Sequence, residues 1–256
     1  MRWINPQSIR EVFLEMSILL SKAEIRNRIW KILEENDVAR FPKPIWGRIP
    51  NFVGARKAAE KIAASREFKE AKVIKVNPDS PQKPVRYLAL ECGKLLVMPT
   101  PRLRKGFILL DSNKIPRRAF MEASTIKGAF KYGKICPLRS LPQVDLIVVG
   151  SVAVSREGIR VGKGGGYSEI EYGILRSLSL ADEETPVFTT VHDLQIVDDA
   201  PREEHDLIVD FIFTPQKSVK IKSKYPKPRG IIWDRLTNEQ IRKIPVLLEL
   251  RRILKN

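Results

Sequence analysis

The sequence predicts an α/β domain built on a largely parallel sheet with helices on both faces, followed by a basic C-terminal appendage. Short β-rich runs alternate along the chain with segments of helical periodicity, which is the order that produces a parallel sheet. A glycine-rich loop joins one predicted strand to a predicted helix. The domain is expected to span residues 1–216, and the appendage residues 217–256.

The helices are predicted from capping signals and apolar periodicity. Ser21 and Glu24 match a capping box, so a helix is expected from this point to about Glu35. Residues 9–20 are a candidate for one or two further amphipathic turns. Periodicity adds helices at residues 55–68, 85–92, 169–178 and 241–254. Pro245 either interrupts the first turn of the last helix or marks its start.

The strands are predicted from short runs rich in β-branched and other apolar residues. These runs are residues 72–76, 94–98, 107–110, 145–149, 187–191 and 207–213. In sheets of this kind, ligands bind at the loops that leave the carboxyl ends of the strands. The functional residues are therefore expected in those loops.

Composition excludes several classes of protein. With 43% hydrophobic and 30% charged residues among 256, the chain is globular and not disordered. No apolar run reaches the roughly 18–20 residues of a membrane span, and the first residues do not resemble a secretory signal. A cytoplasmic protein without a membrane partner is expected. Cys92 and Cys136 are too few for a disulfide framework, and with His192 and His205 as the two histidines a zinc site is not expected.

The net charge of +16 indicates a polyanionic partner such as a nucleotide, a polyglutamylated cofactor or nucleic acid. Residues 216–256 hold twelve Lys/Arg against three Asp/Glu, a net charge of +9. Lys220, Lys222 and Lys224 alternate as on one face of an extended segment. The tail is an alternative site for nucleic acid, although it contains no recognised binding motif and is equally consistent with a solvated surface.

The clearest local signal is the glycine-rich segment at residues 158–167, which follows the strand at residues 145–149 and precedes a helix. Glycines let backbone amides converge on an anion, and a helix N-terminus adds partial positive charge. Arg160 and Lys163 supply full charges. The segment therefore predicts a phosphate cradle, with an ordinary tight turn as the alternative interpretation.

A longer stretch around this loop matches a family signature. Residues 145–167 read D-L-I-V-V-G-S-V-A-V-S-R-E-G-I-R-V-G-K-G-G-G-Y. They resemble the 5-formyltetrahydrofolate cyclo-ligase signature, in which P-G-V-A-F-D-x-x-G-x-R-L-G-x-G-G-G-Y-Y-D-R follows a hydrophobic run. Residues 22–26, 195–197 and 201–210 resemble further family segments in the same order. The long proline-bounded loop at residues 41–51 resembles a divergent cyclo-ligase-like branch of uncertain activity.

The resemblance implies ATP- and magnesium-dependent cyclisation of 5-formyltetrahydrofolate to 5,10-methenyltetrahydrofolate. Lys22 and Arg26 would hold ATP phosphates, and Tyr167 would also approach the folate. Glu169 and Asp206 would hold the magnesium ion. The residues implied to wrap the nucleotide are Arg160, Gly162, Lys163, Gly164, Gly165, Gly166 and Tyr167. No nucleophile, base and acid triad is discernible, as expected when phosphoryl transfer needs mainly positioning and charge neutralisation.

The departures from the signature lie mostly in its folate half. Ser168 stands where the family has a second tyrosine, and Ile170 stands where it has an arginine. Asp79 is the nearest acidic candidate for the folate-pocket glutamate. The second hypothesis is therefore a non-catalytic or altered-specificity relative that binds a nucleotide or RNA through the glycine loop and the basic tail.

Overall fold

The computed structural model describes residues 20–255, so the turns predicted for residues 9–20 lie outside it except for Leu20. The strands are β1 (Ala39–Arg40), β2 (Asn51–Phe52), β3 (Val73–Val76), β4 (Leu95–Pro99), β5 (Phe107–Asp111), β6 (Lys134–Cys136), β7 (Leu146–Gly150), β8 (Ala153–Ser155), β9 (Arg160–Val161), β10 (Val187–Thr190), β11 (Ile196–Val197), β12 (Phe211–Phe213) and β13 (Ser218–Lys220). The helices are α1 (Lys22–Glu35), α2 (Ala55–Ala64), α3 (Arg66–Glu70), α4 (Lys83–Glu91), α5 (Phe120–Ala123), α6 (Ile126–Tyr132), α7 (Tyr167–Ser177), α8 (Asn238–Lys243) and α9 (Pro245–Ile253). No helix among these residues is long and apolar enough to cross a membrane.

The main sheet has eight strands in the order β13-β12-β10-β7-β3-β4-β5-β6. Its five central strands, β12 to β4, run parallel to one another. The flanking strands β13, β5 and β6 pair antiparallel. This arrangement confirms the predicted fold class, with antiparallel edges added to the parallel centre.

Helices cover both faces of this sheet because side chains along each strand alternate between the faces. On β7, Leu146 and Val148 join one buried cluster, which also contains residues of α2 and α4. Ile147 and Val149 join a second cluster, which contains residues of α7 and α9. The central strands are therefore buried on both sides, as parallel strands usually are.

Helix α1 packs beside the main sheet, against a small sheet in which β8 pairs with β9 and β11. Ile25, Ile29 and Leu33 lie in a third buried cluster with residues of β8 and β9. The predicted capping box is confirmed, since Ser21 and Glu24 each bond the other's backbone. This packing places the first turns of α1 next to the glycine loop.

Several predicted elements have different bounds in the structure. The helix predicted at residues 241–254 is divided at Ile244 into α8 and α9. The helix predicted at residues 55–68 is broken at Ser65, whose hydroxyl caps α3 instead. The strand predicted at residues 207–213 is wrong for its first half, and only Phe211–Phe213 joins the sheet. Val209 bonds its backbone to Gly158 in the loop between β8 and β9, so tertiary contacts overrode local β propensity there.

The basic C-terminal segment packs against the rest of the chain. β13 extends the main sheet and ends at Lys220. The alternating lysines do not share one extended face, because Lys224 lies beyond this strand and pairs with Glu157 at 3.0 Å. Lys227 is buried and lies 2.9 Å from Asp210. Pro245 begins α9 and so marks a helix start. The boundary between residues 216 and 217 remains a prediction.

The packing of α9 predicts that substitutions at two adjacent leucines have different effects on the free energy of unfolding. Leu247 is fully buried in the second cluster, whereas Leu248 is 43% exposed. Leu247→Ala is expected to lower the free energy of unfolding by about 2–5 kcal/mol because it leaves a cavity. Leu248→Ala is expected to change it by less than about 0.5 kcal/mol. Guanidinium chloride denaturation measures both, and equal effects would contradict the packing.

Candidate active site

A cavity of about 480 Å³ lies at the carboxyl ends of β3 and β4 and beside the glycine loop. Four segments and Ile126, the first residue of α6, line it. The segments are residues 42–49, residues 77–80 after β3, residues 100–102 after β4, and residues 160–171. A ligand site at the carboxyl ends of parallel strands is expected for this architecture. The glycine loop that predicted a phosphate cradle thus forms one wall of the main cavity.

The glycine loop adopts a conformation that larger residues disfavour. Gly164 and Gly166 have φ angles of +100° and +66°, in the left-handed region that glycine enters without strain. Gly166 is also the N-cap of α7. At Gly165 an added Cβ would lie 2.9 Å from the ring of Tyr167. The loop therefore brings backbone close to the cavity at the N-terminus of an 11-residue helix, which favours an anion there.

Arg160 is buried at the base of this loop, with 3% of its surface exposed. Its Nη1 donates to the carbonyl of Gly150 at 2.9 Å, and its Nη2 pairs with the carboxylate of Glu169. Burial lowers the pKa of Arg160, and nearby carboxylates oppose that shift. The guanidinium thus joins the end of β7 to the first turn of α7. Its charge is already paired, so its contribution to the site is chiefly structural.

Lys163 is the more available cation of the loop. Its side chain is 41% exposed, and its Nζ lies 2.9 Å from Oδ1 of Asp79. Both residues line the cavity. Asp79, the sequence candidate for the folate-pocket acid, therefore lines the cavity, but it forms an ion pair with a lysine of the glycine loop.

Lys22 and Arg26 reach the same region from α1 without lining the main cavity. The Nζ of Lys22 lies 2.6 and 2.7 Å from the two carboxylate oxygens of Asp206, and 3.3 Å from Glu203. The charge of Lys22 holds the pKa of Glu203 below its usual value. Arg26 donates to the carbonyl of Gly162 at 3.3 Å. The structure thus brings Arg26 to the glycine loop, whereas Lys22 pairs with the carboxylates of Glu203 and Asp206.

Sequence reasoning missed a buried polar network at the base of the cavity. Lys75, on β3, forms an ion pair with Glu171, on α7, and donates to Asn77 at 2.6 Å. Asn77 in turn donates to the hydroxyl of Ser168 at 2.8 Å. Burial lowers the pKa of Lys75 and raises that of Glu171, while the charge of each partner opposes the shift.

The network opens onto the cavity through three of these residues. Asn77, Ser168 and Glu171 line it, whereas Lys75 lies behind them. The sequence signal for this network was Lys75, a lysine inside the apolar run of β3. A buried lysine requires a partner, so its position indicated a second polar residue nearby. The identity of that partner, 96 residues away, was not readable from the sequence.

Two further side chains hold the cavity walls in place. The indole of Trp30, on α1, donates to the carbonyl of Arg48 at 3.0 Å and packs 5.5 Å from the ring of Trp46. Both Trp46 and Arg48 line the cavity in the proline-bounded loop. Arg86 donates to the carbonyls of Asn77 and Asp79, and burial lowers its pKa to about 10. The walls are thus fixed by contacts from α1 and α4.

Comparison with known proteins places this arrangement in a family. The statistical model of the 5-formyltetrahydrofolate cyclo-ligase family matches residues 19–215. The chain belongs to that family. The match includes α1, the glycine loop and the residues around Asp206, so it covers every segment that forms the cavity. It excludes the basic C-terminal segment.

Individual relatives agree with this assignment. The chain is 44% identical over 240 residues to the methenyltetrahydrofolate synthase domain-containing protein of Bos taurus, covering 91% of this chain and 62% of that protein. It is 30% identical over 83 residues to the 5-formyltetrahydrofolate cyclo-ligase of Mycolicibacterium smegmatis, covering 32% of this chain and 40% of that enzyme. The chain therefore spans less than two thirds of the bovine relative.

A solved structure supports the fold. The NMR structure of Aquifex aeolicus 5,10-methenyltetrahydrofolate synthetase superposes with a TM-score of 0.51 at 19% identity. The superposition covers 80% of this chain and 94% of that enzyme. At this identity the likeness is evidence for the shared cyclo-ligase fold.

The two carboxylates assigned to magnesium in the cyclo-ligase signature do not form a preformed metal site. Glu169 lines the cavity but pairs with Arg160, and Asp206 is held by Lys22 away from the cavity lining. Residues 20–255 contain no cluster of three or more carboxylate, histidine or cysteine side chains that could hold a metal. The donor set thus does not fit a resident ion.

The buried ion pair predicts strong coupling between two positions. Lys75→Met and Glu171→Met are each expected to lower the free energy of unfolding by about 3–5 kcal/mol, because each leaves a buried charge without its partner. Replacing both residues with methionine is expected to recover most of that loss. Urea denaturation of the four proteins measures the coupling. Additive losses would contradict the proposed pairing.

Proposed function

We propose that this chain catalyses the ATP-dependent cyclisation of 5-formyltetrahydrofolate to 5,10-methenyltetrahydrofolate. The observation that supports the proposal is the glycine loop at the N-terminus of α7, which lines a cavity of about 480 Å³, a size typical of small-molecule sites. Family membership supports cyclo-ligase activity in general, and the bovine relative is named for methenyltetrahydrofolate synthesis. The identities of the substrate, 5-formyltetrahydrofolate, and of the nucleotide, ATP, are what we propose for this chain.

The proposed reaction needs two bond-forming steps. The formyl oxygen attacks the γ-phosphorus of ATP, and the bond to ADP breaks. N10 then attacks the activated formyl carbon to close the ring and loses its proton. Phosphate leaves with the former formyl oxygen and takes up that proton, so the products are the methenyl cation, ADP and phosphate. Both steps depend on positioning and on neutralising the phosphoryl charge.

The residues of the site have distinct proposed roles. Lys163 neutralises phosphate charge from the cavity side, while Lys22 and Arg26 do so from α1. The backbone of Gly162 to Gly166 wraps the nucleotide, and Tyr167 contacts both substrates. Lys22 must exchange Asp206 for a phosphate, since the two are paired before binding. Magnesium is proposed to arrive with the phosphates of ATP, as this ion commonly does, because the carboxylates do not fit a resident ion.

A second candidate function rests on exposed cations of the C-terminal segment. Lys217, Lys220 and Lys222 are all exposed at or beside the edge strand β13. Such a row is able to contact the backbone of RNA, and that contact would weaken steeply with salt. Other charges of the segment are tied internally, as in the pairs Lys224–Glu157 and Lys227–Asp210. We therefore favour the cyclo-ligase proposal.

The direct test mixes the purified protein with 5-formyltetrahydrofolate, ATP and magnesium and follows methenyltetrahydrofolate by its near-ultraviolet absorbance. Turnover that requires all three components is expected. Absence of turnover, together with salt-sensitive RNA binding that is lost when Lys217, Lys220 and Lys222 are replaced, would favour the second candidate instead.

The phosphate cradle predicts the effect of one substitution on this reaction. Lys163→Ala is expected to lower kcat/KM by about 10–100-fold, since a charge-assisted hydrogen bond contributes about 1.5–3 kcal/mol. The matched control is Lys57→Ala, an exposed lysine of α2 that does not line the main cavity. Steady-state kinetics measures both variants. Equal kcat/KM values for the two would contradict the role of Lys163.

A further inference from the structure

A second, smaller cavity of about 70 Å³, the slot, adjoins the glycine loop. Gly166 and Glu169 line both this cavity and the main one, so the two meet at the first turn of α7. One wall comes from the cyclo-ligase domain and includes Ile170. The other wall comes from residues 228–240 and includes Ile231, Leu236 and Gln240. That second wall lies outside the segment matched by the family model.

The segment that forms the second wall is held on α7 by specific contacts. Arg176 donates to the carbonyl of Pro228 at 3.2 Å, and the backbone amide of Ile231 donates to the hydroxyl of Ser177 at 3.2 Å. An added Cβ at Gly173 would lie 2.7 Å from Ile231. It would also lie 3.1 Å from the carbonyl oxygen of Gly230, so a glycine at residue 173 favours this close approach.

The chemistry of the slot suits a flat heteroaromatic ring. Ile170, Ile231 and Leu236 provide apolar surface. The side-chain amide of Gln240 supplies a donor, while its carbonyl oxygen accepts from the backbone N–H of Thr237 at 2.8 Å. Arg235 also lines the slot. The charge of Lys22, and to a smaller extent that of Arg235, lowers the pKa of Glu203, which pairs with Lys22. The slot therefore lies in the same electrostatic environment as the proposed phosphate ligands of α1.

We propose that this slot binds the base of the nucleotide whose phosphates occupy the glycine loop, so that the C-terminal segment completes the nucleotide site. The inference rests on the proposed function, because it takes ATP as the ligand of the loop. Continuity through Gly166 and Glu169 connects the slot to the phosphate cradle. The expected ligand class is a purine nucleotide, with the ring between Ile170 and Leu236.

The test compares ATP with inorganic tripolyphosphate, which has the phosphates but no base. Isothermal titration calorimetry gives the Kd of each ligand for the wild-type protein, Leu236→Trp, which fills the slot, and Gln240→Ala. The control is Lys243→Ala, an exposed residue of α8 outside the slot. Leu236→Trp occupies the space proposed for the base and removes its burial against apolar side chains. It is therefore expected to weaken ATP binding about 10-fold or more and to leave tripolyphosphate binding unchanged.

The ratio of the two affinities separates the outcomes. Gln240→Ala is expected to weaken ATP binding by about 3–10-fold through loss of a hydrogen bond. If a variant loses the same affinity for both ligands, or loses none for ATP, the slot is not the base site, and the proposed function stays intact. Equal affinity of the wild type for ATP and tripolyphosphate would also overturn the slot. Failure of the wild type to bind ATP would overturn the slot and the proposed function together.

Discussion

The buried guanidinium of Arg160 is the interaction on which the geometry of the site depends. It ties the carbonyl of Gly150, at the end of β7, to Glu169, in the first turn of α7. The glycine loop lies between these two points and wraps closely around the side chain. An added Cβ at Gly162 would lie 2.8 Å from Nη1 of Arg160. The loop is therefore shaped by a cation that is itself neutralised inside the protein.

This arrangement divides the cations of the site into two kinds. Arg160 and Lys75 are buried and paired, so they hold elements in position. Lys163 and Lys22 also pair with carboxylates, but their side chains stay 41% and 18% exposed. In the proposed reaction, cations of this second kind would neutralise the phosphoryl charge.

Much of the fold was predictable from the sequence because its signals are local. The capping box at Ser21 and the short apolar strands depend on neighbouring residues, and the glycine loop stood out by composition. The strand predicted at residues 207–213 was too long because contacts with the loop at Gly158 are not local. The Lys75–Glu171 pair was missed for the same reason, because its members are 96 residues apart.

The C-terminal segment shows a different limit of sequence reasoning. Its charge suggested a solvated or nucleic-acid-binding tail, whereas its apolar residues, such as Leu247 and Leu250, fill the second buried cluster. Charge density identifies a surface, but it does not reveal that the opposite face of the same helix is packed. Only the structure placed residues 228–240 beside the first turn of α7.

The measurement that tests the account most directly is the fate of the formyl oxygen. Substrate labelled with ¹⁸O in the formyl group would be converted with unlabelled ATP, and the released phosphate would be analysed by mass spectrometry. Transfer of the γ-phosphoryl group to that oxygen predicts one ¹⁸O atom in each phosphate. Unlabelled phosphate formed together with methenyltetrahydrofolate would contradict the account, because ATP would then be cleaved without activating the formyl group.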